Sequence, residues 1–174
     1  MALNATFPSY VGNYAPDFEI PGVDREVYHL SKYLDSYKLV CVVFLSNACP
    51  IARSQLPKLQ ELQTKFSGLS DLTVVGINSN DSRQEPEESF EKMQTFAEQM
   101  QLNFPYLWDS TQDVAHGFQA QVTSEVFVVN QQGLVLYGGN IEDLKDDLIT
   151  NMLSAEDFAP LSTEPIGSPI QWRS

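Results

Sequence analysis

Leu39-Val40-Cys41-Val42-Val43-Phe44-Leu45-Ser46-Asn47-Ala48-Cys49-Pro50 is the stretch that decides the architecture of this chain. Its first seven residues are apolar and rich in β-branched side chains, as in a central strand covered on both faces. Cys49-Pro50 then opens a helical segment in which Leu56, Leu59, Leu62 and Phe66 recur at helical spacing. Proline suits a first helical turn, where its missing N–H has no partner to lose. The pattern predicts a strand over Leu39–Leu45 and a helix over Pro50–Phe66, kinked at Pro57.

Outward from this unit, strand-like and helix-like segments alternate, which marks an α/β chain. Downstream, Thr73–Asn78 reads as a second central strand. A helix is expected over Pro86–Met100, with Phe90, Met93, Phe96, Ala97 and Met100 on one face. Tyr106–Trp108 reads as a short strand and Asp113–Phe118 as a short helix. Val126–Asn130 and Leu134–Tyr137 form a hairpin around Gln131-Gln132-Gly133, and Ile141–Leu153 forms the last helix. Upstream, Phe18–Ile20 and Val27–Leu30 flank Pro21-Gly22-Val23-Asp24 as an N-terminal hairpin, and Ser31 caps a short helix through Leu34. Residues 1–16 are expected to be irregular. Residues 155–174 hold three prolines and are expected to form an irregular tail along the surface. The absence of a linker or repeat before residue 155 predicts one domain over residues 1–174.

The net charge of −13, with ten scattered basic residues among 174, argues against nucleic acid and anionic membranes as partners. It leaves a basic protein partner open; its simplest role is solubility. The longest apolar run, Leu39–Leu45, is too short to cross a bilayer. Met1–Tyr10 has neither a basic start nor an apolar core, so no signal peptide is expected and the location is read as cytoplasmic. The Asn4-Ala5-Thr6 sequon would matter only after secretion. Two cysteines in a chain of this length make no disulfide scaffold and fit a reducing compartment.

Cys49 is the one candidate nucleophile. A helix start offers free N–H groups and a favourable dipole, both of which stabilise a thiolate, the form that attacks disulfides and peroxides. Cys41 lies inside the apolar strand and reads as a core residue. Ser46 and Asn47 either cap the helix or hydrogen-bond a thiolate or bound peroxide. Arg53, one turn after Cys49, either faces the thiolate or is a solvated helix residue. His29 and His116 show no metal-ligand spacing with Cys49, so neither a metal nor a cofactor is expected. Asn78, Asn80, Asp81, Glu85, Glu87 and Glu88 form an acidic loop without calcium-loop spacing, expected to border the same cleft.

Four stretches carry a family resemblance: Gly12-x-x-Ala15-Pro16-Asp17-Phe18-x-Ile20-Pro21-Gly22; Phe44-Leu45-Ser46-Asn47-Ala48-Cys49-Pro50; Gly76-Ile77-Asn78-Ser79-Asn80-Asp81 with Pro86-Glu87-Glu88-Ser89-Phe90; and Phe104-Pro105-Tyr106-Leu107-Trp108-Asp109. Over residues 10–140 the chain resembles the alkyl hydroperoxide reductase/thiol-specific antioxidant redoxins, in particular a subgroup with an Asn-x-Cys-Pro turn. The resemblance implies a thioredoxin-like fold: a central mixed sheet flanked by helices, extended by the N-terminal hairpin. It also implies Cys49 as the reactive thiol and Pro50, Thr123 and Ser124 as active-site loop residues. This chain departs from the group at several positions. Ala52 and Arg53 stand where dithiol relatives place a second cysteine, and Val42 where peroxiredoxins place a proline. Ser168 stands in place of a tail cysteine, in Gly167-Ser168-Pro169-Ile170-Gln171-Trp172. Ser124 replaces a cis-proline. Because a cis bond before a non-proline residue costs about 3 kcal/mol, a trans Thr123–Ser124 bond and a reshaped groove are expected.

The resulting expectation is a thiol-dependent oxidoreductase or peroxidase using Cys49 alone, resolved by a small thiol, a thioredoxin-like reductant or another protein. The alternatives are a redox-degenerate fold kept for binding or regulation, and a metal-binding redoxin, which the lack of a second thiol ligand disfavours.

Overall fold

A computed structural model describes residues 10–174; the Asn4–Thr6 sequon and most of Met1–Tyr10 lie outside the described residues. The elements follow in the order β1 (Glu19–Pro21), β2 (Val27–His29), α1 (Leu30–Ser36), β3 (Leu39–Phe44), α2 (Pro50–Phe66), β4 (Leu72–Asn78), α3 (Phe90–Gln99), β5 (Tyr106–Trp108), α4 (Asp113–Phe118), β6 (Val122–Thr123), β7 (Glu125–Asn130), β8 (Val135–Gly139), α5 (Asp146–Ser154), β9 (Leu161–Ser162) and β10 (Ser168–Pro169). β1 and β2 form the expected N-terminal hairpin.

The main sheet has the order β5-β4-β3-β7-β8-β9, with β3, β4 and β5 parallel and β7 antiparallel to β3. This is a thioredoxin-like mixed sheet with helices on both faces. The two-residue alternation of β3 explains the layering. Leu39, Cys41 and Val43 point to one face and pack with Leu56, Leu59 and Leu62 of α2, Met93 and Phe96 of α3, and Ile149 and Met152 of α5. Val40, Val42 and Phe44 point to the other, against Leu30 of α1 and Val114, Ala115 and Phe118 of α4. All six β3 side chains are buried, which is why the sequence reads as unbroken apolar. Each fully buried leucine of α2 contributes about 1.5–3 kcal/mol by leaving water.

The structure differs from the sequence reading in several places. The Pro86–Met100 helix divides into a 3₁₀ turn, Pro86–Glu88, and α3, because the Ser89 hydroxyl caps α3 by accepting from the Lys92 N–H at 3.2 Å. The Ile141–Leu153 helix divides at Leu144, whose side chain is fully buried and turns the backbone out of helical geometry before α5. α2 continues past Pro57 as one helix over Pro50–Phe66, the span its leucine spacing predicts. The tail is not simply an irregular surface segment. It adds β9 beside β8, pairs β10 with β6, and buries Ser162 and Ile170. Two-residue bridges leave no periodicity for a sequence reading to detect.

Candidate active site

Register brings the site residues to one end of the sheet. Phe44 is opposite Ile77 on one side and Glu125 on the other. The turn after β3, the loop after β4 and the Thr123–Ser124 corner before β7 therefore meet where the parallel strands end, the usual place for a site in an α/β sheet.

Cys49 is the N-cap of α2, with Pro50 in the first turn. Its Sγ accepts from the Ala52 N–H at 3.5 Å. It lies 3.3 Å from Ser168 Oγ and 3.6 Å from the Thr123 carbonyl, to which the thiol donates. The residue is only 6 % exposed. Burial alone would raise the thiol, but its hydrogen bonds, foremost those with the Ser168 hydroxyl and the Ala52 N–H, outweigh it and hold the group below the ordinary cysteine value. Cys41 is the opposite case. Fully buried on β3, it is pushed up to about 12 by desolvation. Both cysteines are free thiols.

Ser46 and Asn47 build the turn. The Ser46 hydroxyl accepts from the Ala48 and Cys49 N–H groups at 3.1 and 3.0 Å and donates to the Glu88 carboxylate. The Asn47 N–H donates to Glu88 at 2.8 Å, its amide donates to the Glu87 carbonyl at 2.9 Å, and its Oδ1 accepts from the Tyr106 hydroxyl at 2.7 Å. Asn78 of β4 closes the network, donating to Glu88 Oε1 at 3.0 Å and to the Tyr106 oxygen at 3.1 Å. Tyr106 is buried, and desolvation with the nearby Glu88 charge raises its phenol well above its usual value. Glu88, 3 % exposed, thus takes three hydrogen bonds beneath the turn. Sequence reading placed it only in an acidic loop.

Arg53 donates to the Asn47 carbonyl at 2.9 Å and lies over the Phe96 ring at 5.2 Å. The guanidinium thus braces the turn. Between Asn47, Arg53, Lys92 and Phe96 lies a small open cavity of about 170 Å³. The trans bond expected at Thr123–Ser124 is corrected here: the bond is cis. Intrinsic cost was the wrong guide, because neighbours fix both residues. Thr123 pairs with Ser168, and the buried Ser124 hydroxyl donates to Gln55 of α2. His29 pairs with Glu19 at 3.5 Å, and His116 stacks on Trp172. Among the described residues no group of three His, Cys, Asp or Glu side chains is placed to hold a metal, and no helix is long and apolar enough to cross a membrane.

Residues 11–138 match the AhpC/TSA family. No curated protein matches the chain. A hypothetical protein from Sinorhizobium meliloti 1021 is 29% identical at a TM-score of 0.82, covering 94% of this chain and 95% of its own. An uncharacterized conserved protein from Geobacillus kaustophilus is also 29% identical, at a TM-score of 0.79, with 97% and 94% covered. The peroxidoxin BcpB from Mycobacterium tuberculosis shares the fold at 24% identity and a TM-score of 0.66, with 84% and 97% covered.

Proposed function

The chain belongs to the AhpC/TSA family, a thiol-dependent redoxin, and from that premise we propose that it reduces peroxides through Cys49 alone. The observation that carries the reading is the contrast between its two thiols. Cys49 sits at a helix start among hydrogen-bond donors that favour its thiolate, whereas Cys41 is buried and held protonated.

The Cys49 thiolate attacks the terminal peroxide oxygen and the O–O bond breaks. This leaves a sulfenic acid on Cys49, and the departing alkoxide or hydroxide takes a proton from solvent. An external thiol then displaces water from the sulfenic acid and forms a mixed disulfide. A second thiol releases the Cys49 thiol and leaves as the disulfide. The external thiol is a small thiol or a thioredoxin-like protein. Ser46, Asn47 and Arg53 serve by fixing the turn that presents the sulfur, and Pro50, Thr123 and Ser124 line it.

The test is thiol-dependent peroxide turnover by the full chain and by Cys49→Ser. Turnover lost in the variant supports the reading, and equal rates in both chains refute it. The second reading, a fold kept for binding, is favoured by one observation: the tail covers Cys49 and leaves it 6 % exposed.

A further inference from the structure

The C-terminal segment holds a group that this chemistry leaves unused. β10 crosses β6 with Ser168 opposite Thr123, which brings the Ser168 hydroxyl to 3.3 Å from Cys49 Sγ. The approach is built from both sides. At Gly167 any Cβ would overlap the Thr123 carbonyl, so only glycine lets the chain lie against the Thr123–Ser124 peptide. Beyond Ser168, Ile170 is buried and its N–H donates to the Gln121 carbonyl at 3.0 Å. The Gln171 N–H donates to Asn80 Oδ1 at 2.8 Å, the Asp81 N–H donates to the Gln171 carbonyl at 2.9 Å, and the Arg173 N–H donates to Gln112 Oε1 at 3.0 Å. The hydroxyl is therefore delivered to the sulfur by an anchored strand.

The charged groups at this end of the sheet have other partners. Arg53 is on the Asn47 carbonyl, Glu88 is under Ser46 and Asn47, and Glu125 accepts the Gln121 and Val122 N–H groups. The sulfur is left with neutral partners: the Ser168 hydroxyl, the Ala52 N–H and the Thr123 carbonyl.

We propose that Ser168 is a catalytic residue, whose hydroxyl donates to the Cys49 thiolate and which the C-terminal strand β10 holds in place. The inference rests on Cys49 being the reactive thiol of the proposed function, but its test uses no peroxide. A chain inert to peroxide would sink that function and the catalytic role with it, but leave the Ser168 hydrogen bond to the Cys49 thiolate standing.

Iodoacetamide alkylation of Cys49 is followed across pH by mass spectrometry in the full wild-type chain, Ser168→Ala and Ser168→Thr. In Ser168→Ala the midpoint moves up by about one pH unit, with about tenfold less thiolate below both midpoints. The rate reached at high pH does not fall, and Ser168→Thr returns the midpoint toward wild type. An unchanged midpoint in Ser168→Ala overturns the proposal, as does a wild-type Cys49 that is not alkylated at any pH. Ser168→Cys supplies an independent reading with 5,5′-dithiobis(2-nitrobenzoate). The Cys49 thiolate displaces one thionitrobenzoate, and the introduced thiol then displaces the second, closing a disulfide with Cys49. With one equivalent of the reagent per chain, two thionitrobenzoates are released and none is retained. A persistent mixed disulfide with one released places residue 168 away from the sulfur and overturns the proposal.

Discussion

Replacing Glu88 tests whether the Cys49 turn is held from beneath by a buried carboxylate. Glu88 accepts from the Ser46 hydroxyl, the Asn47 N–H and the Asn78 amide, and it is 3 % exposed. In Glu88→Ala these three donors lose a common acceptor. Each buried donor left unpaired costs about 1–3 kcal/mol. Water entering the vacated space recovers part of that sum, which leaves a predicted loss of about 3 kcal/mol. Glu88→Gln keeps the shape and one carbonyl acceptor but turns an amide donor toward donors, so its loss is smaller, about 1–2 kcal/mol. Urea unfolding at constant m-value gives both numbers. The alanine variant is also expected to alkylate Cys49 with a raised midpoint, since the Ser46-capped turn loosens. A Glu88→Ala chain within about 0.5 kcal/mol of wild type would refute the reasoning, as such losses are typical of surface positions.

Three further outcomes follow from the same geometry. Gly167→Ala pushes β10 off β6, because the new Cβ overlaps the Thr123 carbonyl; the limiting rate of Cys49 alkylation at high pH should rise several-fold, and an unchanged rate would show that the strand does not cover the thiol. Cys41, fully buried and pushed up to about 12, stays unlabelled in the native chain at neutral pH while Cys49 reacts; a thiol count of two without denaturant would contradict this. Stability should also depend on pH through Cys49, whose folded value lies below that of the unfolded chain. Its contribution is therefore complete above the unfolded cysteine value of about 8.5 and is lost as pH falls through the folded one. The difference in urea midpoint between wild type and Cys49→Ala should grow as pH rises toward about 9, and Cys41 cancels because both chains contain it.

The sequence made legible what depends on local pattern. Leu39–Phe44 appears as an apolar run because both faces of β3 are covered, and α2 begins at Pro50 and ends at Phe66 as its leucine spacing predicts. The same reasoning placed Cys49 at the helix start, where its sulfur accepts from the Ala52 N–H. What stayed hidden depends on contacts between distant segments. Ser168 meets Cys49 across a separation of 119 residues and Glu88 meets Ser46 across 42, and neither contact leaves a periodic trace. Ser168 was visible only as a departure from relatives, which marked the position and not its neighbour. The Thr123–Ser124 isomer escaped for the same reason: the residues that fix it, Ser168 and Gln55, come from elsewhere in the chain. Arg53 was correctly placed one turn from Cys49, yet the Asn47 carbonyl and the Phe96 ring decide where its charge lies.

The most direct test of the central claim is a single treatment of the reduced chain with hydrogen peroxide. A sulfenic-acid trap and mass spectrometry of both cysteines follow, with Cys49→Ser as control. The account predicts rapid sulfenic acid on Cys49 alone, reversed by added thiol, and an unmodified Cys41. A Cys49 that stays a thiol near neutral pH, or oxidation that is equally fast in Cys49→Ser, would contradict it and leave the fold as a binding module.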